Sequence, residues 1–245
     1  MSAPLVGATA ARVLGQLRRD PRTIALVFVV PCVLLALLKY LFDEQPETFD
    51  RIGVPLVGLF PLLQMFIVTS VTMLRERTSG TLERLMASPL AKLDLLAGYG
   101  AAFALLAIVQ ATIVATFALA ALGLDTSAPA IAVIALAAAN ALLGMSLGLL
   151  ASAFARTEFQ AVQFMPAFIL PQLLLCGLFV PRERMAEALE VLSGALPATY
   201  AYGALETLAN DGALGAGGAL DLAVVLGVTT VALVLAASTL RRRTA

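Results

Sequence analysis

Long unbroken apolar runs constrain this chain more than any other feature of its sequence. Each run is close to or longer than the ~20 residues with which a helix crosses the ~30 Å hydrocarbon layer of a membrane. A soluble core cannot cover so many runs of this length, so lipid must cover them. The runs span residues 24–42, 52–74, 95–124, 129–154, 161–180 and 222–240. We therefore predict an all-α polytopic membrane protein, a single transmembrane domain over residues 1–245 with six transmembrane helices.

The composition supports this fold class and excludes several functions. Hydrophobic residues make up 60% and charged residues 13% of the chain, against roughly 45–50% and about 25% in soluble domains. The net charge is zero and no basic surface with interleaved aromatics occurs, so we expect no nucleic-acid partner. The sequence has no histidine, which excludes His-based zinc sites and Ser-His-Asp triads. We predict no catalytic, metal or cofactor site on this chain.

The distribution of basic residues predicts the orientation in the membrane. Lysine and arginine are retained on the cytoplasmic side. If the N-terminus lies inside, twelve of the sixteen basic residues are cytoplasmic and four are external. We therefore expect both termini in the cytoplasm, which requires an even number of spans.

Two further stretches are too polar to cross the membrane. In residues 1–21, apolar positions such as Leu14 and Leu17 recur at helical spacing beside Arg12 and Arg18, which is typical of an interfacial helix at the inner membrane surface. A mobile tail is the alternative. Residues 181–218 contain two amphipathic pieces, which predict an external re-entrant segment or, alternatively, two surface helices in an ordinary loop.

The longest cytoplasmic connection, residues 75–92, predicts a docking element. Gly80 breaks the chain, residues 81–87 form a short helix with Leu82 and Leu85 on one face, and a Ser-Pro step follows. Such a helix suits a groove on a partner protein. On the pattern alone, a solvated loop that only fixes the topology remains open.

This connection resembles the signature of permeases of the type-2 ABC exporter superfamily: Arg-Glu, then Gly-Thr-x-Glu, then a short helix that ends at a Ser/Thr-Pro step. The matching residues are Arg75, Glu76, Gly80, Thr81, Glu83, Ser88 and Pro89. The resemblance extends over the whole chain, and the daunorubicin-resistance-like branch looks most similar.

The resemblance implies that the short helix is a coupling helix that sits in a cleft of an ABC ATPase subunit. In such a contact Glu83 and the arginines make charge-assisted hydrogen bonds, and the leucines provide the apolar anchor. Carried over by position, the contact residues are Arg75, Glu76, Gly80, Thr81, Leu82, Glu83, Arg84 and Leu85.

The energy source is expected on another chain. An ATP site needs a glycine-rich loop ending in Gly-Lys-Ser/Thr. The two lysines of the sequence, Lys39 and Lys92, follow Leu38 and Ala91 rather than a glycine, so the sequence contains no such loop. An ion-driven carrier would place ionisable groups at mid-depth in the membrane, and the six runs have none there. We therefore expect a separate ABC ATPase subunit that binds ATP and Mg²⁺, together with a second permease copy or a sister permease.

The neutral polar residues of the runs are candidates for a cargo path. Alternatively, they hydrogen-bond one helix to another. They are Gln64, Thr69, Gln110, Asn140, Gln163 and Gln172.

The leading hypothesis is export of an amphipathic small molecule, a drug or a lipid-like compound, across the plasma membrane of a bacterium, with a role in multidrug resistance. One alternative is export of a polysaccharide or lipid-linked glycan. The other is a non-transporting membrane enzyme or assembly subunit, for which the external acids Glu183, Glu187 and Glu190 are the only candidate site.

Overall fold

The computed structural model describes residues 3–79 and 92–239, and this part of the chain is helical and contains no strand. A π turn, Phe117–Ala121, follows the helix Lys92–Thr116. A second π turn, Met165–Ile169, lies between the helices Glu158–Phe164 and Leu170–Leu175, and a 3-10 turn covers Arg182–Arg184. The predicted all-α polytopic class is confirmed. The helices are α1 (Ala3–Arg18), α2 (Pro21–Leu41), α3 (Pro46–Thr78), α4 (Lys92–Thr116), α5 (Ala130–Ala151), α6 (Glu158–Phe164), α7 (Leu170–Leu175), α8 (Glu187–Gly194), α9 (Pro197–Asp211) and α10 (Gly215–Ser238).

Five helices of the described part are long and apolar enough to cross a membrane. They agree with five of the six predicted runs, and the sixth span remains a prediction. The candidate spans are Pro21–Leu41, Pro46–Thr78, Ala97–Ala121, Ala130–Ala151 and Gly215–Ser238.

The remaining run, residues 161–180, is broken. Helical structure extends from Glu158 to Leu175 but changes from α to π and back to α. Pro166 and Pro171 lack an N–H and crowd the carbonyl four residues earlier, which disfavours a regular α-helix here. The helix also stops five residues before the predicted end, since the chain turns at Gly177, whose φ is 110°.

The helix α3 lies at the centre of the bundle. In its most apolar 18-residue stretch, 72% of the residues are buried, whereas the corresponding fraction is 17% for α2 and 22% for α10. The outer two helices therefore present most of their apolar side chains outward, where lipid covers them.

Small residues bring α3 and α5 into close contact. A Cβ added to Gly144 would lie 2.0 Å from the carbonyl oxygen of Leu62, and one added to Gly148 would lie 2.4 Å from that of Phe66. Only glycine permits this approach. Gly144 and Gly148 are four residues apart, the small-xxx-small spacing typical of close helix contacts, and here this spacing is used for packing within the chain.

The two predicted non-spanning stretches are both helical. In α1, Val13 and Leu17 are buried in the core. The external stretch forms α8 and α9, and Ala201 and Leu205 of α9 are fully buried. The positions of these helices relative to the membrane surface remain predictions, as does re-entry.

Candidate coupling site at the end of the central helix

The predicted coupling residues divide into two groups. Arg75 and Glu76 belong to the last turn of α3. The others lie outside the described residues: Gly80, Thr81, Leu82, Glu83, Arg84 and Leu85.

Arg75 joins α3 to α6. Its Nε and Nη2 donate to the two carboxylate oxygens of Glu158 at 2.8 and 2.9 Å. Both side chains are about half exposed, at 55% and 50%, so the pair contributes only about 0.2–1 kcal/mol. These hydrogen bonds also lower the pKa of Glu158. Thr157 caps α6 by accepting from the backbone N–H of Gln160, which fixes the helix start beside Arg75.

Glu76 joins α3 to α1. Only 7% of its surface is exposed, and its Oε1 lies 3.5 Å from Nη1 of Arg12. With its amide oxygen turned towards Arg12, Gln16 accepts from Arg12 Nη1 at 3.2 Å and donates to Glu76 Oε1 at 3.1 Å. Arg12 is thus drawn into the bundle rather than towards solvent.

Arg12 also connects α1 and α3 to α4. Nη2 of Arg12 donates to the hydroxyl of Tyr99, and the guanidinium lies 5.4 Å from the centre of the Tyr99 ring. A cation over an aromatic face adds about 0.5–2 kcal/mol, depending on its exposure. Glu76 therefore orients Arg12 between two helices.

Arg77 joins α3 to the end of α10. Its Nη2 donates to Oγ1 of Thr239, the C-cap residue of α10, at 3.3 Å.

Three consecutive side chains, Arg75 to Arg77, thus contact three other helices, α6, α1 and the end of α10, and Arg12 extends the connection to a fourth, α4. Successive side chains of an α-helix point about 100° apart, so three consecutive residues can contact neighbours on three sides of the helix. We call this arrangement the α3 node, defined by Arg75, Glu76 and Arg77 with their partners Glu158, Arg12, Tyr99 and Thr239. The node comes directly before the undescribed segment 80–91.

A contact of Arg75 with a partner protein stays a prediction, since its side chain is 55% exposed, but Glu76 is less accessible than expected. The burial of Glu76 leaves little surface for an external contact. Sequence reasoning missed the intramolecular partners Arg12, Tyr99 and Thr239, since only the alternation of charge over residues 75–77, at the end of an apolar helix, hinted at them.

Most of the neutral polar candidates hold the bundle together. Thr69 donates to the carbonyl of Met145 at 3.1 Å, which joins α3 to α5, and Asn140 donates to the carbonyl of Ala201 at 3.2 Å, which joins α5 to α9. Both polar side chains are buried.

Gln110 has a more specific structural role. Pro31 in α2 has no N–H, so it cannot bond the carbonyl of Val27 four residues earlier. Nε2 of Gln110 on α4 donates to that carbonyl at 2.9 Å. The side chain thereby replaces the backbone donor that proline removed.

The other three candidates differ in exposure. Gln172 is buried and bonds the backbone of Phe168 and Ala198. Gln64 is partly buried and Gln163 is exposed. A role for any of the six in a cargo path remains a prediction.

Comparison with known protein families identifies the fold. The family model described as ABC-2 type transporter matches residues 4–208, most of the chain. The chain belongs to the ABC-2 type transporter family. It is accordingly a multi-pass membrane protein with the fold of an ABC-2 transporter domain.

Two curated relatives place this ABC-2 protein among known transporters. ABC transporter G family member 20 of Dictyostelium discoideum is 26% identical over 170 residues, which cover 69% of this chain and 23% of that protein. The probable multidrug ABC transporter permease YbhR of Escherichia coli K12 is 30% identical over 138 residues, which cover 56% of this chain and 38% of that permease. The matched part is less than two fifths of either relative.

A polar cavity adjoins the node of this ABC-2 protein. It measures about 520 Å³ and lies between the end of α1, the start of α2, the end of α3 and the start of α6. Gln16, Asp20, Arg75, Glu76 and Glu158 are among its lining residues. Asp20 caps α2 through Thr23, and these hydrogen bonds lower the pKa of the Asp20 carboxyl.

Proposed function

We propose that this chain is the permease subunit of an ABC exporter that moves an amphipathic small molecule, a drug or a lipid-like compound, out of the cytoplasm of a bacterium. A separate ABC ATPase subunit binds ATP and Mg²⁺ and hydrolyses the nucleotide. A second permease copy or a sister permease completes the path. The observation that carries the proposal is the α3 node, which joins the end of α3, just before segment 80–91, to α1, α6 and α10 directly and to α4 through Arg12.

The contacts of the α3 node suggest how a movement of the ATPase is transmitted to the helices of the bundle. Segment 80–91 contacts the ATPase through Leu82, Glu83, Arg84 and Leu85, as the family signature implies. A displacement of that segment moves the end of α3 first, because the two are continuous in the chain. The contacts of Arg75, Glu76 and Arg77 then pass the displacement to α1, α4, α6 and α10.

The character of the spans supports an amphipathic cargo. Thr69, Gln110 and Asn140 are engaged in helix contacts, so few of the polar candidates remain for binding a strongly hydrated molecule. The relative YbhR is named a probable multidrug permease, which points to the same cargo class.

The test separates partner binding from transmission. The permease is co-purified with the ABC ATPase encoded beside it and reconstituted in vesicles, and ATP hydrolysis and uptake of an amphipathic fluorescent dye are measured. Glu83→Ala, in the proposed contact, should reduce co-purification of the ATPase. Glu76→Gln, in the node, should preserve co-purification but lower both dye uptake and its stimulation of ATP hydrolysis.

External Glu183→Ala is the matched control and should change none of these quantities. Dye uptake by the permease alone, or unchanged co-purification and uptake in the Glu83→Ala complex, would contradict the proposal. So would labelling of a cysteine at position 83 by an impermeant reagent added to intact cells.

A further inference from the structure

The polar cavity beside the α3 node has an excess of negative charge. Three carboxylates line it, those of Asp20, Glu76 and Glu158, together with one guanidinium, that of Arg75. Its volume of about 520 Å³ lies within the range of small-molecule sites. We infer that this cavity binds the cationic group of an amphipathic cargo, such as an organic ammonium ion. The inference rests on the proposed export function and narrows its cargo class.

One carboxylate oxygen of Glu76 requires a positively charged partner. Its Oε1 lies near Arg12 and Gln16, whereas its Oε2 is buried and has no hydrogen-bond donor among the described residues. Only 7% of the residue is exposed. A buried polar atom without a partner is costly, above all when it carries charge. Because Glu76 lines the cavity, a cation bound there offsets this cost.

The neighbouring polar groups suit a cation better than an anion. Oγ1 of Thr23 donates to Oδ2 of Asp20 at 2.7 Å, and Oγ1 of Thr78 donates to a backbone carbonyl of its own helix at 3.0 Å. A hydroxyl has one hydrogen, so both side chains keep only lone pairs for a ligand. Arg75 likewise directs its Nε and Nη2 to Glu158. The wall therefore offers more acceptors than donors.

The nearby arginines leave this charge uncompensated inside the cavity. Arg18, Arg19 and Arg22 are exposed and do not line it, so water and salt screen them. Arg12 contacts Oε1 of Glu76 from the side of α1.

The size and the ligand set favour an organic cation over a metal ion. In residues 3–79 and 92–239, no group of three Asp, Glu, Cys or His side chains is placed to hold a metal. The cavity is also much larger than a single ion. It lies between the ends of α1 and α3 and the starts of α2 and α6, at the end of the bundle that the basic residues predict to be cytoplasmic. A cargo taken from the cytoplasm reaches this end first.

The charge requirement can be tested on the permease alone. The full chain is placed in lipid nanodiscs without an ATPase, and binding of radiolabelled tetraphenylphosphonium is measured, with empty nanodiscs subtracted. Tetraphenylborate, an anion of the same shape, is measured in separate samples. We expect saturable binding of the phosphonium and none of the borate.

Two substitutions remove charge from the cavity while they keep the shape of the side chain. Asp20→Asn preserves the cap of α2, since asparagine caps a helix as well as aspartate does, and should weaken phosphonium binding about threefold. Glu76→Gln should weaken it about tenfold, because this carboxylate is buried. If Glu76→Gln does not elute as a folded protein, Asp20→Asn alone decides. Glu187→Gln, which changes an exposed external carboxylate, is the control and should bind as wild type does.

No saturable phosphonium binding, equal binding by wild type and Asp20→Asn, or saturable borate binding would overturn the inference. So would reduced co-purification of the ATPase with Asp20→Asn in the absence of phosphonium binding, which assigns the cavity to a basic side chain of the partner. The failure of export is distinguishable. A permease that binds phosphonium but supports no dye uptake refutes the proposed function, whereas dye uptake without phosphonium binding refutes the site.

Discussion

Arg12 and Glu76 lie 64 positions apart in the sequence, yet Nη1 of Arg12 is 3.5 Å from Oε1 of Glu76. The carboxylate is buried and the guanidinium also reaches Tyr99. One contact therefore connects the N-terminal helix, the central helix and α4 at the end of the bundle that the basic residues predict to be cytoplasmic. This is why the α3 node connects segment 80–91 to the whole bundle rather than to α3 alone.

We expect Glu76→Gln to lower the stability of the folded protein by about 1–3 kcal/mol, because a charge-assisted contact is lost in a buried place. In a chain of this size that corresponds to several degrees in the unfolding temperature. Thermal unfolding in detergent measures it. Glu183→Gln, an exposed external carboxylate, is the control and should leave the temperature unchanged.

The pair Arg75–Glu158 should contribute much less. A double-mutant cycle with Arg75→Ala and Glu158→Ala is expected to give a coupling energy of about 0.2–1 kcal/mol that falls as salt is added. The exposure of both side chains is the reason. A coupling energy that does not change with salt would show that the pair is more shielded than the structure indicates.

The pH dependence of the same pair has a defined sign. Arg75 holds the pKa of Glu158 below its ordinary value, so the unfolded state takes up a proton more readily than the folded state. The stabilisation is thus present above the unfolded pKa of about 4.3 and is lost as the pH falls through the lower folded pKa. The difference in unfolding temperature between wild type and Glu158→Gln should shrink as the pH falls below about 4.

A larger residue at the α3–α5 contact should lower the stability of the folded protein. Gly144→Ala places a methyl group 2.0 Å from the carbonyl oxygen of Leu62, so the two helices must separate. We expect a loss of about 1–3 kcal/mol in thermal or denaturant unfolding. Gly227→Ala in α10 meets open space and should be neutral or slightly stabilising. Equal effects at the two positions would argue against the close approach.

The bond between Gln110 and Val27 can be tested through the proline that requires it. Gln110→Leu leaves the Val27 carbonyl without a donor and should cost about 0.6–2 kcal/mol. Pro31→Ala restores a backbone N–H to that carbonyl. In the Pro31→Ala protein, Gln110→Leu should therefore cost clearly less, as read from chemical unfolding of both single variants and the double variant.

The sequence by itself determined the fold class and the approximate places of the spans. The length of an apolar run is compared directly with the thickness of the hydrocarbon layer, so this inference needs no knowledge of neighbours. The four-residue spacing of Gly144 and Gly148 is typical of a close helix contact, but only the structure places that contact against α3. The sequence also contains Pro166 and Pro171, but the unbroken apolar run predicted one continuous helix over residues 161–180, where the structure has a π turn.

Only the tertiary structure decided what the polar side chains do. A glutamine in an apolar helix suits a cargo path or a helix contact equally well until its neighbour is known, and Gln110 faces the carbonyl freed by Pro31. The position of Glu76 in a family signature implied an outward contact, whereas the packing of α1 against α4 brings Arg12 to it. Hydrophobic periodicity reports on one or two turns of a single helix. Which residues of two different helices meet depends on how the helices are arranged in the bundle, and the packing of the whole chain sets that arrangement.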